Sequence, residues 1–143
     1  MRKKENVIKI IHELLDQTGG HLFIYVKVTG KRCRFLIDTG ASHSVVDKKF
    51  FSKNFGKKTM RTVKQSTTGL HSSTNESHFG NIKILTVGKT EIKKLRVALV
   101  DLGHVNSTYA QLKKPKIHGI LGSDVLYLYE MIIDYGSMQL IIP

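Results

Sequence analysis

The chain has 143 residues, 41% of them apolar, with six Phe, five Tyr and no Trp, which suits one packed domain and excludes two. Only two prolines occur, Pro115 and Pro143, and no repeat or low-complexity tract is visible, so a Pro-rich linker or extended disorder is excluded. The net charge of +12 (23 basic against 11 acidic) invites a polyanion, yet the basic residues are scattered ("MRKK", "DKK", "GKK", "KKPK") without interleaved aromatics; generic solubility or attraction to acidic partners is favoured, and no nucleic acid is predicted.

The first segment, "MRKKENVIKIIHELLDQ", opens with positive charge as a secretory leader does. Lys9 and His12 interrupt its apolar stretch, and no small-residue cleavage site follows. No run approaches the roughly 18 apolar residues of a membrane span. The single cysteine, Cys33, has no intrachain partner for a disulfide and fits a reducing compartment. The expectation is a soluble, cytoplasmic protein with no membrane partner. Within this extension, residues 1–20, Val7, Ile10, Ile11 and Leu14 recur at helical spacing, but the segment begins β-branched; helix and strand both stay open.

From residue 21 the pattern is of short strands and turns. "HLFIYVKV", a turn at "TGK" and "RCRFLI" read as a hairpin. "NIKILTV" and "LRVALVDL" follow around a turn at "GK", and "YEMIID" and "MQLIIP" around "YGS". Two segments are predicted as helical: "SVVDKKFFSKN", and "NSTYAQLKK" with Asn106 or Ser107 as N-cap and Pro115 beyond its end. Between Thr62 and Gly80 lies a Ser/Thr/Gly-rich stretch with few large apolar residues. It predicts a mobile, exposed hairpin centred near Gly69, longer than an ordinary loop and so a candidate for function. The whole is predicted to be an antiparallel all-β domain with small closed sheets and one or two short helices.

Two stretches carry chemistry. In "FLIDTGASHSVV" an apolar run ends at Asp38, where a charge is tolerable only if donors or a partner stabilise it. Thr39 adds a hydroxyl, and Gly40 lets the backbone turn so that amides approach the carboxylate. In "IHGILGSDVL", Ile120 and Leu121 run into Gly122, as a strand does when it ends against another backbone. "FLIDTGAS", then "GILGSDVL" some eighty residues on, then "IDYGSMQLII" resembles the retropepsin-like aspartic proteases, especially compact single-domain bacterial relatives of the retroviral enzymes. The resemblance spans about residues 21–143.

That resemblance implies a closed acid-protease half-barrel in which Asp38 is the catalytic aspartate. Thr39 would cross-link two catalytic loops over a dimer axis, Gly40 would face the substrate chain, and Ala41 and Ser42 would floor the pocket. Gly122 would close the loop behind the catalytic strand, and a flap over about residues 62–80 would bring Thr68, Gly69 and Leu70 to the substrate. Ser123–Asp124 stands where the retroviral enzymes carry an Arg–Asn pair, so the ion pair behind the site is absent or rebuilt.

The chemistry needs two carboxylates sharing one proton, because two like charges about 3 Å apart do not both ionise. The other D-x-G, at Asp134, has Tyr135 in place of the short hydroxyl and reads as a hairpin turn. Asp124 reads as the N-cap of a short helix, and Asp47 and Asp101 as surface or helix-end residues. One chain is then half a site, completed by a symmetric homodimer that encloses Asp38. Seven histidines show no metal-ligand spacing, so neither metal nor cofactor is implied; His43, just past the catalytic loop, is a candidate for tuning pH dependence or substrate preference. Cys33 reads as a small core residue. The reading is an aspartic endopeptidase of peptides or proteins; the alternatives are a non-catalytic dimeric peptide-binding module of the same fold and a basic nucleic-acid-binding protein.

Overall fold

The N-terminal segment is two strands: β1 (Asn6–Lys9) and β2 (Ile11–Leu14). The helical spacing of Val7, Ile10, Ile11 and Leu14 misleads, because Val7 and Leu14 are exposed and the inward positions alternate within each strand, Asn6 and Ile8 in β1, Ile11 and Glu13 in β2, with Ile10 buried between them. Four isoleucine and valine residues in five positions favour the pleated backbone, and both strands have partners to pair with. The computed structural model describes residues 6–56, 60–66 and 74–143.

β3 (Gly20–Val28) and β4 (Lys31–Ile37) form the expected hairpin. Thr29 and Gly30 between them both have positive φ, 48° and 84°, the turn geometry whose twist matches two right-twisted strands. After the loop at 38–44 come β5 (Val45–Asp47) and α1 (Lys48–Phe55). The predicted helix therefore starts later than "SVV"; Val45 and Val46 are sheet residues, and the Asp47 carboxylate caps α1 by accepting from the Phe50 amide.

β6 (Met60–Ser66) and β7 (Thr74–Val87) pair antiparallel from Met60↔Gly80 to Ser66↔Thr74. β7 turns at Gly88 into β8 (Thr90–Val100). α2 (Gly103–Gln111) begins before Asn106, whose side chain is occupied elsewhere: it accepts from the Ile117 amide and donates to the Ile117 carbonyl. β9 (Gly119–Leu121), α3 (Ser123–Leu128), β10 (Ile132–Asp134) and β11 (Gln139–Ile142) complete the chain. The described residues thus hold three short helices.

The larger sheet runs β2-β3-β4-β9-β5-β8-β7-β6, and pairing of β3 with β7 (Lys27↔Thr86, Val28↔Leu85) closes six of its strands into a barrel. Ile24, Val26, Val28, Phe35, Val46, Leu85 and Val97 pack in the core. Phe51 of α1 is fully buried against Gly80, where a Cβ would stand 2.6 Å from its ring; burying such a ring is worth roughly 1.5–3 kcal/mol. Cys33 is buried as expected. A second cluster docks α2, with the Tyr109 ring edge-on to Phe23 at 5.5 Å. The smaller sheet is β1-β11-β10, all from the one chain. No helix among the described residues is long and apolar enough to cross a membrane.

Candidate active site

The site is built where two strands end side by side. β4 is paired on one edge with β3 and on the other with β9, in parallel, through Phe35↔Gly119, Leu36↔Ile120 and Ile37↔Leu121. The ladder runs one step further, the Asp38 amide donating to the Leu121 carbonyl at 3.0 Å. The backbone of Asp38 is thereby fixed, while its side chain lies beyond the last buried residue, Ile37, and is exposed. The chain then reverses: the Ala41 amide donates to the Asp38 carbonyl at 3.2 Å, and the Gly40 amide to Asp38 Oδ1 at 2.9 Å. A Cβ on Gly40 would sit 3.3 Å from that same oxygen, so any side chain there would push the carboxylate aside by a few tenths of an ångström.

β9 threads between the strand before the loop and the strand after it, since β5 pairs with its other edge through Val45↔Ile120 and Val46↔Gly119. The turn after β9 lies against the 38–44 loop itself. A Cβ at Gly122 would meet the Ala41 carbonyl oxygen at 2.7 Å and the His43 carbonyl at 2.9 Å, which is the backbone-on-backbone ending that "ILG" predicts. The Ser123 amide donates to the Ala41 carbonyl at 2.7 Å.

Asp124 does not cap α3. Gly122 occupies the cap position without a side-chain bond, and the Asp124 carboxylate reaches across to the 38–44 loop instead. It accepts from the Ser44 amide at 2.9 Å and from Ser44 Oγ at 2.7 Å, while Ser44 Oγ accepts from the Gly122 amide at 3.0 Å. Ser44 is wholly buried. The support behind the loop is thus a serine–aspartate clamp, a residue role the sequence left unassigned; a polar residue in an apolar stretch, "SVV", was its signal.

Thr39 and Ser42 are exposed and Ala41 is half-buried. Thr68, Gly69 and Leu70 lie outside the described residues, as does the rest of 67–73; the two arms that lead to them, β6 and β7, form the expected antiparallel pair. His43 turns to the base of that hairpin, its ring perpendicular to Phe79 at 6.4 Å, and with Ser77, Ala98 and Val100 it lines a cavity of about 480 Å³. The Arg96 guanidinium covers the Phe79 ring at 4.2 Å.

A smaller cavity, about 270 Å³, opens beside the acid, with Ile37, Asp38 and Thr39 on one wall and Ile133 and Tyr135 on another. The sequence reading treated Tyr135 as a turn residue only. Asp134 does hold that turn, accepting from the amides of Gly136 and Ser137, and these donors keep its carboxyl below the usual range, the Ser137 hydroxyl first. Among the described residues no three His, Cys, Asp or Glu side chains gather as a metal site.

The loop thus holds a carboxylate at the tip of a buried strand, followed by a glycine turn pinned by a second strand that passes behind it, and residues 24–125 match the aspartyl protease family. The chain belongs to that family. Its fold is that of the retropepsin-like aspartic protease of Rickettsia conorii, with a TM-score of 0.61 at 22% identity over 99% of this chain and 96% of that one. The retroviral protease-like domain of Ddi1 from Leishmania major is similar over 86% of this chain and 94% of its own, with a TM-score of 0.53 at 13% identity. No curated protein sequence matches the chain.

Proposed function

We propose that this family member is an aspartic endopeptidase that cleaves peptide bonds as a homodimer, with Asp38 of each copy forming the catalytic pair. The observation that carries the reading is the state of Asp38 in one chain: exposed at the end of a buried strand, its carboxylate accepting, among the described residues, only from its own turn at Gly40. Such a group has an oriented acid but no second carboxylate, and a second copy on a two-fold axis supplies it.

In that pair one carboxylate is ionised and takes a proton from a water, while the other, protonated, donates a hydrogen bond to the scissile carbonyl. The water oxygen adds to the carbonyl carbon, and the proton taken up is returned to the amide nitrogen as the C–N bond breaks. Thr39 would bond across the axis to the partner's loop, and Ala41, Ser42 and Gly122 would shape the floor. The peptide would lie extended under the two hairpins whose described arms are β6 and β7, adding a strand to their edges. Soluble, cytoplasmic action belongs to the same proposal.

The test is a peptide-library cleavage assay on the wild type and on Asp38→Asn, with solution mass and melting temperature measured on the same samples. Loss of cleavage by at least about 10²-fold, the usual worth of a positioned acid–base group, with mass and melting unchanged, supports the reading. Cleavage that survives the change, or that chelators block while a statine-type mimic does not, removes it. A dimer that binds peptides and never cuts them would establish the non-catalytic module instead.

A further inference from the structure

We infer that a concave site remote from Asp38, where Lys31, Lys49, Lys53 and Lys116 surround the Phe50 and His118 rings, binds an anion carrying two or more linked phosphate groups. The four lysines come from three separate segments: the start of β4, helix α1 and the stretch before β9. They meet around one cavity of about 350 Å³, within the range that small-molecule sites occupy. Lys31 opens β4 and Asp38 follows its far end, so the site lies roughly 23 Å from the acid along the strand. It stands or falls apart from the protease reading.

The protein does not balance the charge of this cavity. Lys49 and Lys53 stand four apart on α1, where like charges are neighbours and weaken the helix. Both ion pairs of the described residues lie elsewhere, on Glu13. Lys31 Nζ has neutral partners only, donating to Asn54 Oδ1 at 2.7 Å and lying 5.6 Å over the Phe50 ring. The one carboxylate on the wall, Asp47, has its two oxygens taken by the Phe50 and Leu102 amides. Four cations less one anion leave the wall at +3.

The floor adds a donor. His118 Nδ1 accepts from the Arg34 amide, so the neutral ring carries its proton on Nε2. That N–H has no hydrogen-bond partner among the described residues, yet it is open to solvent, since the one sealed and unpartnered side-chain nitrogen there is Arg34 Nε. Lys116 and Lys31 act on this ring, adding to burial in holding its pKa below the ordinary value, while Asp47 opposes them. Asn106 pins both backbone groups of Ile117 and so fixes the chain beside Lys116. No arginine lines the cavity, so it lacks the planar fork that matches a single carboxylate. Compact ammonium groups around an N–H donor select by charge and by number of acceptor oxygens, and a di- or triphosphate exceeds a carboxylate in both.

Calorimetric titration of the whole chain at about 0.15 M NaCl tests the assignment, with sodium tripolyphosphate, ATP and sulfate as probes at matched ionic strength. Tripolyphosphate should bind once per chain, at least about tenfold tighter than sulfate, and should raise the melting temperature, because it is held by the native state alone. Lys53→Glu/Lys116→Glu, on two exposed side chains, should weaken it by at least about tenfold with circular dichroism unchanged. Lys83→Glu/Lys93→Glu, exposed outside the cavity and equal in charge change, should leave it bound. ATP no tighter than tripolyphosphate identifies the phosphate chain as the whole ligand; tighter ATP identifies a nucleoside triphosphate whose base lies on the Phe50 ring. No saturable heat at millimolar tripolyphosphate, or sulfate bound as tightly, would overturn the inference. So would equal weakening in the two double variants, which would mean diffuse attraction to a chain of net +12.

Discussion

Two glycines of the site have opposite jobs, and substitution separates them. At Gly122 an added Cβ meets backbone atoms of Ala41 and His43 at 2.7–2.9 Å, in a loop held by the Ser123 amide on the Ala41 carbonyl and by the Ser44–Asp124 bonds, so that backbone does not yield freely. Gly122→Ala should cost at least about 1–3 kcal/mol, the range of overpacking in a close-packed interior, read as a lower urea midpoint with unchanged slope. At Gly40 the neighbour is Asp38 Oδ1 at 3.3 Å, the end of an exposed side chain that can swing away. Gly40→Ala should shift stability by less than about 0.5 kcal/mol, as surface changes do, while peptide cleavage falls because the carboxylate is displaced. If both variants lost stability alike, the carboxylate's closeness would not be the reason for the glycine. Neither glycine has a positive φ, so close approach, not backbone conformation, fixes both residues.

At the scale of elements, residue 118 stitches the strands that position the loop. The His118 amide donates to the Arg34 carbonyl, its carbonyl accepts from the Asp47 amide, and its Nδ1 accepts from the Arg34 amide at 3.1 Å. An accepting Nδ1 must be unprotonated. Burial against the Phe50 ring pushes the imidazole below its ordinary 6.5; Lys116 and Lys31 push the same way and Asp47 opposes them. The unfolded chain therefore binds more protons between the folded value and 6.5, so this contribution to stability is complete above 6.5 and is lost as pH falls through that window. Melting temperatures from pH 8 to 5 should fall more steeply for the wild type than for His118→Gln; parallel curves would place the effect on other histidines. The same elements show what sequence alone can reach. Hairpins were legible because a Thr-Gly or Gly-Lys turn and flanking alternation are local signals. The turn after Asp38 and the "ILG" turn were legible for the same reason. Val45 and Val46 read as helix because a short apolar run fits either period, and only the β8 and β9 ladders, more than fifty residues away, decide it. The start of α2 was misplaced because Asn106 caps nothing and instead holds Ile117. Tyr135 could not be placed beside Asp38 by any local pattern, since its approach is set by the packing of one sheet on the other.

For the whole molecule the deciding quantity is the sign of a salt effect. Two copies of net +12 repel one another on approach. Ionic strength shortens the reach of that repulsion, from about 30 Å at 0.01 M to about 10 Å at 0.1 M and 3 Å at 1 M, while leaving apolar burial and strand pairing intact. The dimer should therefore tighten as salt rises, with the dissociation constant falling several-fold between 0.05 and 0.5 M NaCl by sedimentation equilibrium. Head-to-tail contact of acidic side chains with a basic surface of the next copy would behave in the opposite way, weakening with salt and growing into longer assemblies. Binding to a nucleic acid would weaken too, with a steep log–log slope set by the phosphates neutralised. If cleavage requires the pair, specific activity at fixed low protein concentration should follow the same upward course, and the two curves should superpose once each is expressed as the fraction of chains in dimers. Activity that rises with salt while the mass stays constant would mean that salt acts on substrate or flap and that the charge on the body of the protein does not limit association.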